Sequence, residues 1–128
     1  MSGASMPLDR RRALGSFGEL AALAHLRRRG ATLLAQNWRC RLGEIDLVAR
    51  LGDQILFVEV KTRTVGALAP ESGVGPAKAR RLAQLAYTYL EEAGLPATTG
   101  WRIDLVAVEV DGTGRVVRLE HMEGVVGE

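Results

Sequence analysis

Two acidic residues and a lysine on neighbouring predicted strands could together carry out chemistry. Side chains alternate along a strand, so Glu59 and Lys61 share one face of the second strand. Gly52 and Asp53 separate the two strand-like runs, which is typical of a two-residue hairpin turn. A hairpin with that turn predicts that Asp46 lies directly opposite Glu59, with both carboxylates beside Lys61.

Opposed carboxylates repel each other unless a proton or a cation lies between them. A site made of oxygen ligands favours a hard ion, Mg²⁺ or Mn²⁺. Lys61 would remain charged and could hold a phosphate or an attacking water. The chain has 15 arginines and 2 lysines, which favours a specific role for a lysine on this strand. A metal ion and a lysine above carboxylates are typical of phosphodiester hydrolysis.

An ordinary surface ion pair is the alternative interpretation. The same hairpin places Glu44 opposite Lys61, and such a pair on an exposed strand needs no function. Ile55 and Phe57 share the face of Glu59, however, and predict that this face is partly covered.

Glu19 is a further candidate, because it lies among the apolar residues of a predicted helix over residues 12–29. A carboxylate in that position needs a partner. The partner could be the metal site, or it could be Arg39 or Arg41 in a salt bridge.

The elements that must position these residues follow from hydrophobic periodicity and turn residues, in the order α-β-β-β-α-β-β. A loop rich in Gly and Pro, residues 65–76, should border the site. We expect a flexible basic tail over residues 1–11, a single domain over 12–122 and a C-terminal tail over 123–128. The predicted helices are 12–29 and 77–93, and the predicted strands are 32–39, 44–51, 54–63, 101–110 and 116–121.

Composition fits a single globular domain: 128 residues, of which 47% are hydrophobic and 25% are charged. One cysteine, Cys40, excludes an internal disulfide and any cysteine-cluster metal site. His25 and His121 match no metal-ligand spacing. No apolar run is long enough to span a membrane, and no apolar segment near the N-terminus predicts secretion. A cytoplasmic location fits these features best.

The basic residues are concentrated in the first half of the chain. Residues 1–64 have 11 Lys and Arg against 6 Asp and Glu, whereas residues 65–128 have 6 against 9. This distribution suits a polyanionic partner, although a solvated basic face would look the same. The side chains that could contact phosphates are Arg39, Arg63, Lys78 and Arg81.

Three other residues are expected to be structural. Trp38 and Trp101 are predicted core residues rather than platforms for bases. Asp104 is a predicted ion-pair partner, with Arg102 or Arg39 available.

Together these residues resemble the PD-(D/E)xK nuclease superfamily, which has the restriction-endonuclease-like fold and includes Holliday-junction resolvases. More narrowly, the chain resembles the YraN family of small bacterial proteins with a predicted endonuclease fold. Ile45 replaces the proline of the superfamily motif, a common substitution. The matching segments, spread over about residues 14–110, are Gly18-Glu19-x-x-Ala22, Asn37-Trp38-Arg39, Gly43-Glu44-Ile45-Asp46-Leu47, Phe57 to Arg63, the helix of Lys78, and Arg102 to Val108.

The resemblance implies an α/β fold with an α-β-β-β-α-β core, in which helices flank a mixed central sheet. It implies that Asp46 and Glu59 bind Mg²⁺ or Mn²⁺, with the Val60 carbonyl as a further ligand. Lys61 would orient or activate the attacking water, and Glu19 would be an accessory of the metal site.

We therefore expect a metal-dependent endonuclease that hydrolyses phosphodiester bonds in DNA, with branched or structured DNA suggested by the likeness to resolvases. One such site per chain means that cutting both strands would require a homodimer. The alternatives are a non-catalytic nucleic-acid-binding accessory module with the same fold, and a protein-interaction domain.

Overall fold

The computed structural model describes residues 8–66 and 75–127. The element order expected from the sequence is confirmed. Over the described ranges no helix is both long enough and apolar enough to cross a membrane. The elements are α1 (Leu8–Arg28), β1 (Thr32–Cys40), β2 (Gly43–Leu51), β3 (Gln54–Thr64), α2 (Pro76–Glu92), β4 (Gly100–Val110) and β5 (Val116–Gly127).

Two boundaries differ from the prediction. Helix α1 begins at Leu8, inside the segment expected to be a tail, and residues 1–7 lie outside the described part. Strand β5 continues through residues 123–127, also expected to be a tail, because Val126 pairs with Ile103 and Gly127 with Arg102. Of the loop expected at residues 65–76, residues 67–74 lie outside the described part.

The five strands form one mixed sheet in the order β1-β2-β3-β4-β5. Strands β3 and β4 are parallel, and the other neighbouring pairs are antiparallel. Two parallel neighbours need a long crossover connection. Helix α2 lies in that connection, between the end of β3 at Thr64 and the start of β4 at Gly100.

Each face of the sheet is covered by one helix. On one face, Ala22, Leu23 and Leu26 of α1 belong to a buried cluster with Leu47, Ala49, Leu56, Val58, Val106, Val108 and Val110. On the other face, Leu82, Leu85, Ala86 and Leu90 of α2 belong to a second cluster with Ile45, Val48, Ile55, Phe57, Trp101 and Ile103. Strand β3 is therefore buried on both faces, with the alternation that the sequence predicts for its apolar residues. Trp101 is buried and Trp38 packs against this second cluster, which confirms their core roles.

A close approach of α1 to β3 depends on Gly18. A Cβ atom at this position would lie 1.7 Å from Thr62 Oγ1. The missing side chain allows the helix to contact the strand directly. The next helical residue, Glu19, is thereby held near the same end of the sheet.

Asp104 is fully buried, and partners within the fold form hydrogen bonds and an ion pair with its carboxylate. Arg102 donates hydrogen bonds of 3.0 to 3.3 Å to its carboxylate, which confirms the predicted ion pair with Arg102. His121 Nε2 lies 2.8 Å from the same carboxylate, and the Gly124 N–H donates to it at 2.9 Å. His25 lies beside His121. The pKa of His25 is lowered mainly by burial and, to a smaller extent, by the charge of His121.

Candidate functional site

The hairpin between β2 and β3 has the predicted turn and the predicted register. Gly52 adopts a positive φ of 61°, a backbone conformation that glycine adopts without strain. The five pairs are Leu51↔Gln54, Arg50↔Ile55, Ala49↔Leu56, Val48↔Phe57 and Leu47↔Val58.

The ladder ends just before it reaches the acidic residues. The expected pairs Asp46–Glu59 and Glu44–Lys61 are not part of it, so the prediction of direct opposition is corrected. The physical reason lies on the other side of β2, where the pairing with β1 also passes over Asp46 and its opposite residue, Asn37. Asn37 has a left-handed φ of 52°, which interrupts the extended backbone.

This interruption changes which face of the sheet the neighbouring residues occupy. Leu47 packs in the cluster under α1, whereas Ile45 packs in the cluster under α2. Regular alternation along β2 would place Ile45 and Leu47 on the same face of the sheet, and the structure places them on opposite faces. The register of β1 against β2 is the same on either side of Asp46, so the change of face accompanies the left-handed backbone of Asn37 rather than a shift in strand pairing.

Asp46 leaves the ladder but stays attached to β3 through its side chain. Its Oδ2 accepts a hydrogen bond of 2.8 Å from the backbone N–H of Val60. The carboxylate thus bonds to β3 at Val60, the residue after Glu59 and two residues beyond Val58, where the strand pairing stops. Asp46 and Glu59 line the same cavity, so they are neighbours as the sequence predicts, although a side-chain hydrogen bond rather than strand pairing attaches Asp46 to β3.

Burial and nearby charge make Asp46 difficult to ionise. Its pKa is raised from 3.8 to about 7, mainly because burial removes the carboxylate from water. The charges of Glu59, Glu19 and Glu44 raise it further, while the hydrogen bond from Val60 opposes them. Three carboxylates, one each from α1, β2 and β3, therefore act on Asp46.

Glu59 is paired with a lysine from α2. The Lys78 Nζ contacts Glu59 Oε2, and the Glu59 side chain is 14% exposed while that of Lys78 is 45% exposed. Lys78 lies in the first turn of α2, which begins at Pro76. The helix that follows the crossover loop therefore brings a cation to the acidic cluster.

These residues surround an open cavity of about 360 Å³. Five of the predicted site residues line it, namely Asp46, Glu59, Val60, Lys78 and Arg81, and Glu44 lines it as well. The described lining residues are Gly43, Glu44, Asp46, Glu59, Val60, Lys78, Arg81, Leu82 and Leu85.

Lys61 and Arg63 lie farther along β3. The pairing of β3 with β4 is uninterrupted from Gln54 to Thr64, so Lys61 shares the face of Glu59, one pleat away. Lys61 is not among the described residues that line the cavity. Arg63 lines a separate cleft of about 130 Å³ with Glu109 and residues of β5.

Asn37 links two of the acidic residues. Its Nδ2 lies 3.2 and 3.3 Å from the two carboxylate oxygens of Glu19, and it donates to Glu44 Oε2 at 3.0 Å. Glu44 also forms an ion pair of 3.2 Å with Arg39, whose side chain is 77% exposed. Glu19 is thus held by an amide rather than by the predicted Arg39 or Arg41. Sequence reasoning did not assign Asn37 a role, although asparagine is the type of residue that tolerates left-handed backbone.

The donor set suits a hard cation that retains much of its water. Across the described ranges, no group of three or more His, Cys, Asp or Glu side chains is arranged to hold a metal ion. Mg²⁺, however, is usually bound through only one or two carboxylates and several waters. Asp46 and Glu59 line one cavity and could supply such a pair of carboxylates, and the surrounding negative charge favours a cation.

Comparison with known proteins identifies the family. Residues 18–108 match the uncharacterised protein family UPF0102, so the chain belongs to this family. A UPF0102 protein of Chloroflexus aurantiacus is 55% identical over 96% of this chain and 99% of its own length. Relatives from Streptomyces griseus and Roseiflexus castenholzii are 48% and 45% identical, over 92% and 93% of this chain and 99% and 97% of their own lengths.

Proposed function

We propose that this protein is a Mg²⁺- or Mn²⁺-dependent endonuclease that hydrolyses phosphodiester bonds in DNA. The observation that carries the proposal is the partly buried carboxylate of Asp46 beside Glu59, in an open cavity that also presents Lys78 and Arg81. Acidic residues that bind a cation, next to basic residues that bind phosphate, suit a phosphodiester substrate. The proposal includes the restriction-endonuclease-like arrangement of the core, and branched or structured DNA as the preferred substrate.

Each residue has a role in this proposal. Asp46, Glu59 and the Val60 carbonyl hold the cation, which when bound stabilises charge on the phosphoryl oxygens and makes a water more acidic. Lys61, on the face of Glu59, orients the attacking water. Lys78 contacts a phosphate of the DNA, and Arg39, Arg63 and Arg81 contact further phosphates.

The decisive experiment compares cleavage of branched and duplex DNA by the wild type, Asp46→Asn and Lys61→Ala in Mg²⁺ and Mn²⁺. We expect both substitutions to reduce cleavage by about 100-fold or more, because each removes charge stabilisation at the reacting phosphate. Thermal unfolding should show that both variants are folded. Glu92→Gln, an exposed substitution at the end of α2, serves as the control and should cleave like the wild type. Equal cleavage by all four proteins would indicate a contaminant and would contradict the proposal.

One observation favours a second candidate function, a non-catalytic nucleic-acid-binding module. Glu59 is already paired with Lys78, so its charge is compensated within the protein. This function predicts DNA binding that weakens steeply with salt, with no cleavage product in any metal. It also predicts that Asp46→Asn binds DNA as well as the wild type or better, because a negative charge is removed.

A further inference from the structure

We infer that Asn37 is a positioning residue that holds Glu19 of α1 and Glu44 of β2 around Asp46. On this view Glu19 acts through its charge, while its carboxylate is held by the amide of Asn37 rather than by the cation. The inference rests on the proposed cation site and deepens it, because it assigns the residue that fixes the charge around that site.

The backbone of Asn37 is the first observation. Among the described residues, Asn37 is the only non-glycine residue with a positive φ, which is 52°. Strained backbone persists only where the surrounding structure imposes it, and such positions are frequent at functional sites. Here the strained residue lies opposite Asp46, where the pairing of β1 with β2 is interrupted. The conformation of Asn37 and the release of Asp46 from the ladder are thus parts of one irregularity.

The side chain of Asn37 is the second observation. One nitrogen lies within 3.3 Å of both Glu19 oxygens and donates to Glu44 at 3.0 Å. An amide donates hydrogen bonds without carrying a charge. It can therefore hold the two carboxylates close together without adding a positive charge of its own. The exposed Arg39 pairs with the other oxygen of Glu44.

The packing of α1 supports the same conclusion. Gly18 allows the helix to contact Thr62 of β3 directly, and the following residue, Glu19, bonds to Asn37 of β1. Two adjacent residues of α1 are thus fixed to two different strands. This attachment keeps Glu19 bonded to Asn37, whose position in β1 is opposite Asp46.

The experiment measures Mn²⁺ affinity of the full chain by calorimetry, so it does not depend on cleavage. Asn37→Gly removes the amide and keeps a residue that adopts positive φ without strain. We expect this variant to remain folded and to bind Mn²⁺ about fivefold more weakly than the wild type, because Glu19 and Glu44 are no longer held near Asp46. Gln36→Ala, which removes an exposed amide from the adjacent position of β1, should bind Mn²⁺ like the wild type.

A double-mutant cycle separates this role from a purely structural one. If Asn37 acts through Glu19, combining Asn37→Gly with Glu19→Gln should weaken Mn²⁺ binding no further than the more damaging single substitution. Additive losses would overturn the inference, as would wild-type affinity in Asn37→Gly. Absence of Mn²⁺ binding by the wild type would contradict the proposed function itself, and the inference with it.

Discussion

Asp46 should make the stability of the protein depend on pH in an unusual direction. Its pKa is about 7 in the folded chain against an ordinary value of 3.8, so the folded state binds more protons between these values. Stability from this group is present at low pH and is lost as the pH rises through 7. At 1.36 kcal/mol per pH unit, ionising Asp46 costs the folded state about 4 kcal/mol.

Asp46→Asn tests this expectation, since asparagine has a similar shape and does not ionise. In the absence of divalent ions, the free energy of unfolding of the variant should rise relative to that of the wild type by about 2–3 kcal/mol between pH 5 and pH 8, because over most of this range the folded wild type keeps a proton that the unfolded chain has lost. Urea denaturation at the two pH values measures the difference. A gap between variant and wild type that is the same at both would contradict the assignment.

At this scale the sequence predicted which carboxylates meet but not how they are held. Strand alternation and the turn at residues 52–53 brought Asp46 and Glu59 together correctly. They could not reveal that the ladder stops at Leu47, because this depends on the left-handed backbone of Asn37. No periodic pattern encodes one strained residue, and an asparagine within a strand is not by itself unusual.

At the scale of elements, α2 places a cation on one side of the acidic cluster. Lys78 and a bound divalent ion would compete for Glu59, since one carboxylate oxygen is already occupied by the ammonium. Lys78→Gln should therefore increase Mn²⁺ affinity about fivefold, the equivalent of about 1 kcal/mol for a partly exposed ion pair. Calorimetry measures this change directly.

Arg80→Gln is the matched control. It removes the same charge from an exposed position of α2 two residues after Lys78, and Arg80 is not among the described cavity residues. It should change Mn²⁺ affinity by less than about twofold, as expected for an exposed charge screened by salt. An equal increase in both variants would mean that net charge, not competition for Glu59, controls the affinity.

The contact between α1 and β3 gives a prediction about packing. Gly18→Ala places a Cβ atom 1.7 Å from Thr62 Oγ1, so the Thr62 side chain, the helix or the strand must move. We expect a loss of about 1–3 kcal/mol in the free energy of unfolding. Adding Thr62→Ala removes the closest atom and should recover part of the loss. If Gly18→Ala is as stable as the wild type, the helix does not lie this close to the strand.

The elements themselves were predictable where they carry a strong pattern. The apolar residues of β3 and of α2 alternate or repeat clearly, and both elements were found within one or two residues of their bounds. The end of β5 carries no such pattern, because Gly124 and Gly127 give no side-chain signal. Its length is set by pairing with β4, which is a tertiary effect.

At the scale of the molecule, the two helices cover opposite faces of the sheet, and both contribute to the site. Glu19 reaches it from α1 and Lys78 from α2, while Asp46 and Glu59 belong to the central strands. The sequence predicted the mixed sheet with flanking helices only through a family resemblance. Local pattern alone does not decide that β3 and β4 are parallel, since this depends on the crossover through α2.

The distribution of charge over the whole molecule gives the last prediction. If Arg81, which lines the cavity, contacts a DNA phosphate, its removal should eliminate the release of one counterion. Arg81→Gln should then lower the slope of log binding constant against log salt concentration by about 0.9. Fluorescence anisotropy of a labelled branched DNA, measured without divalent ions between about 50 and 200 mM salt, gives this slope. Arg115→Gln removes the same charge from the exposed turn before β5, outside both the cavity and the cleft of Arg63, and should leave the slope unchanged. If both substitutions lower the slope equally, the DNA is held by net charge and not by the surface that contains the cavity.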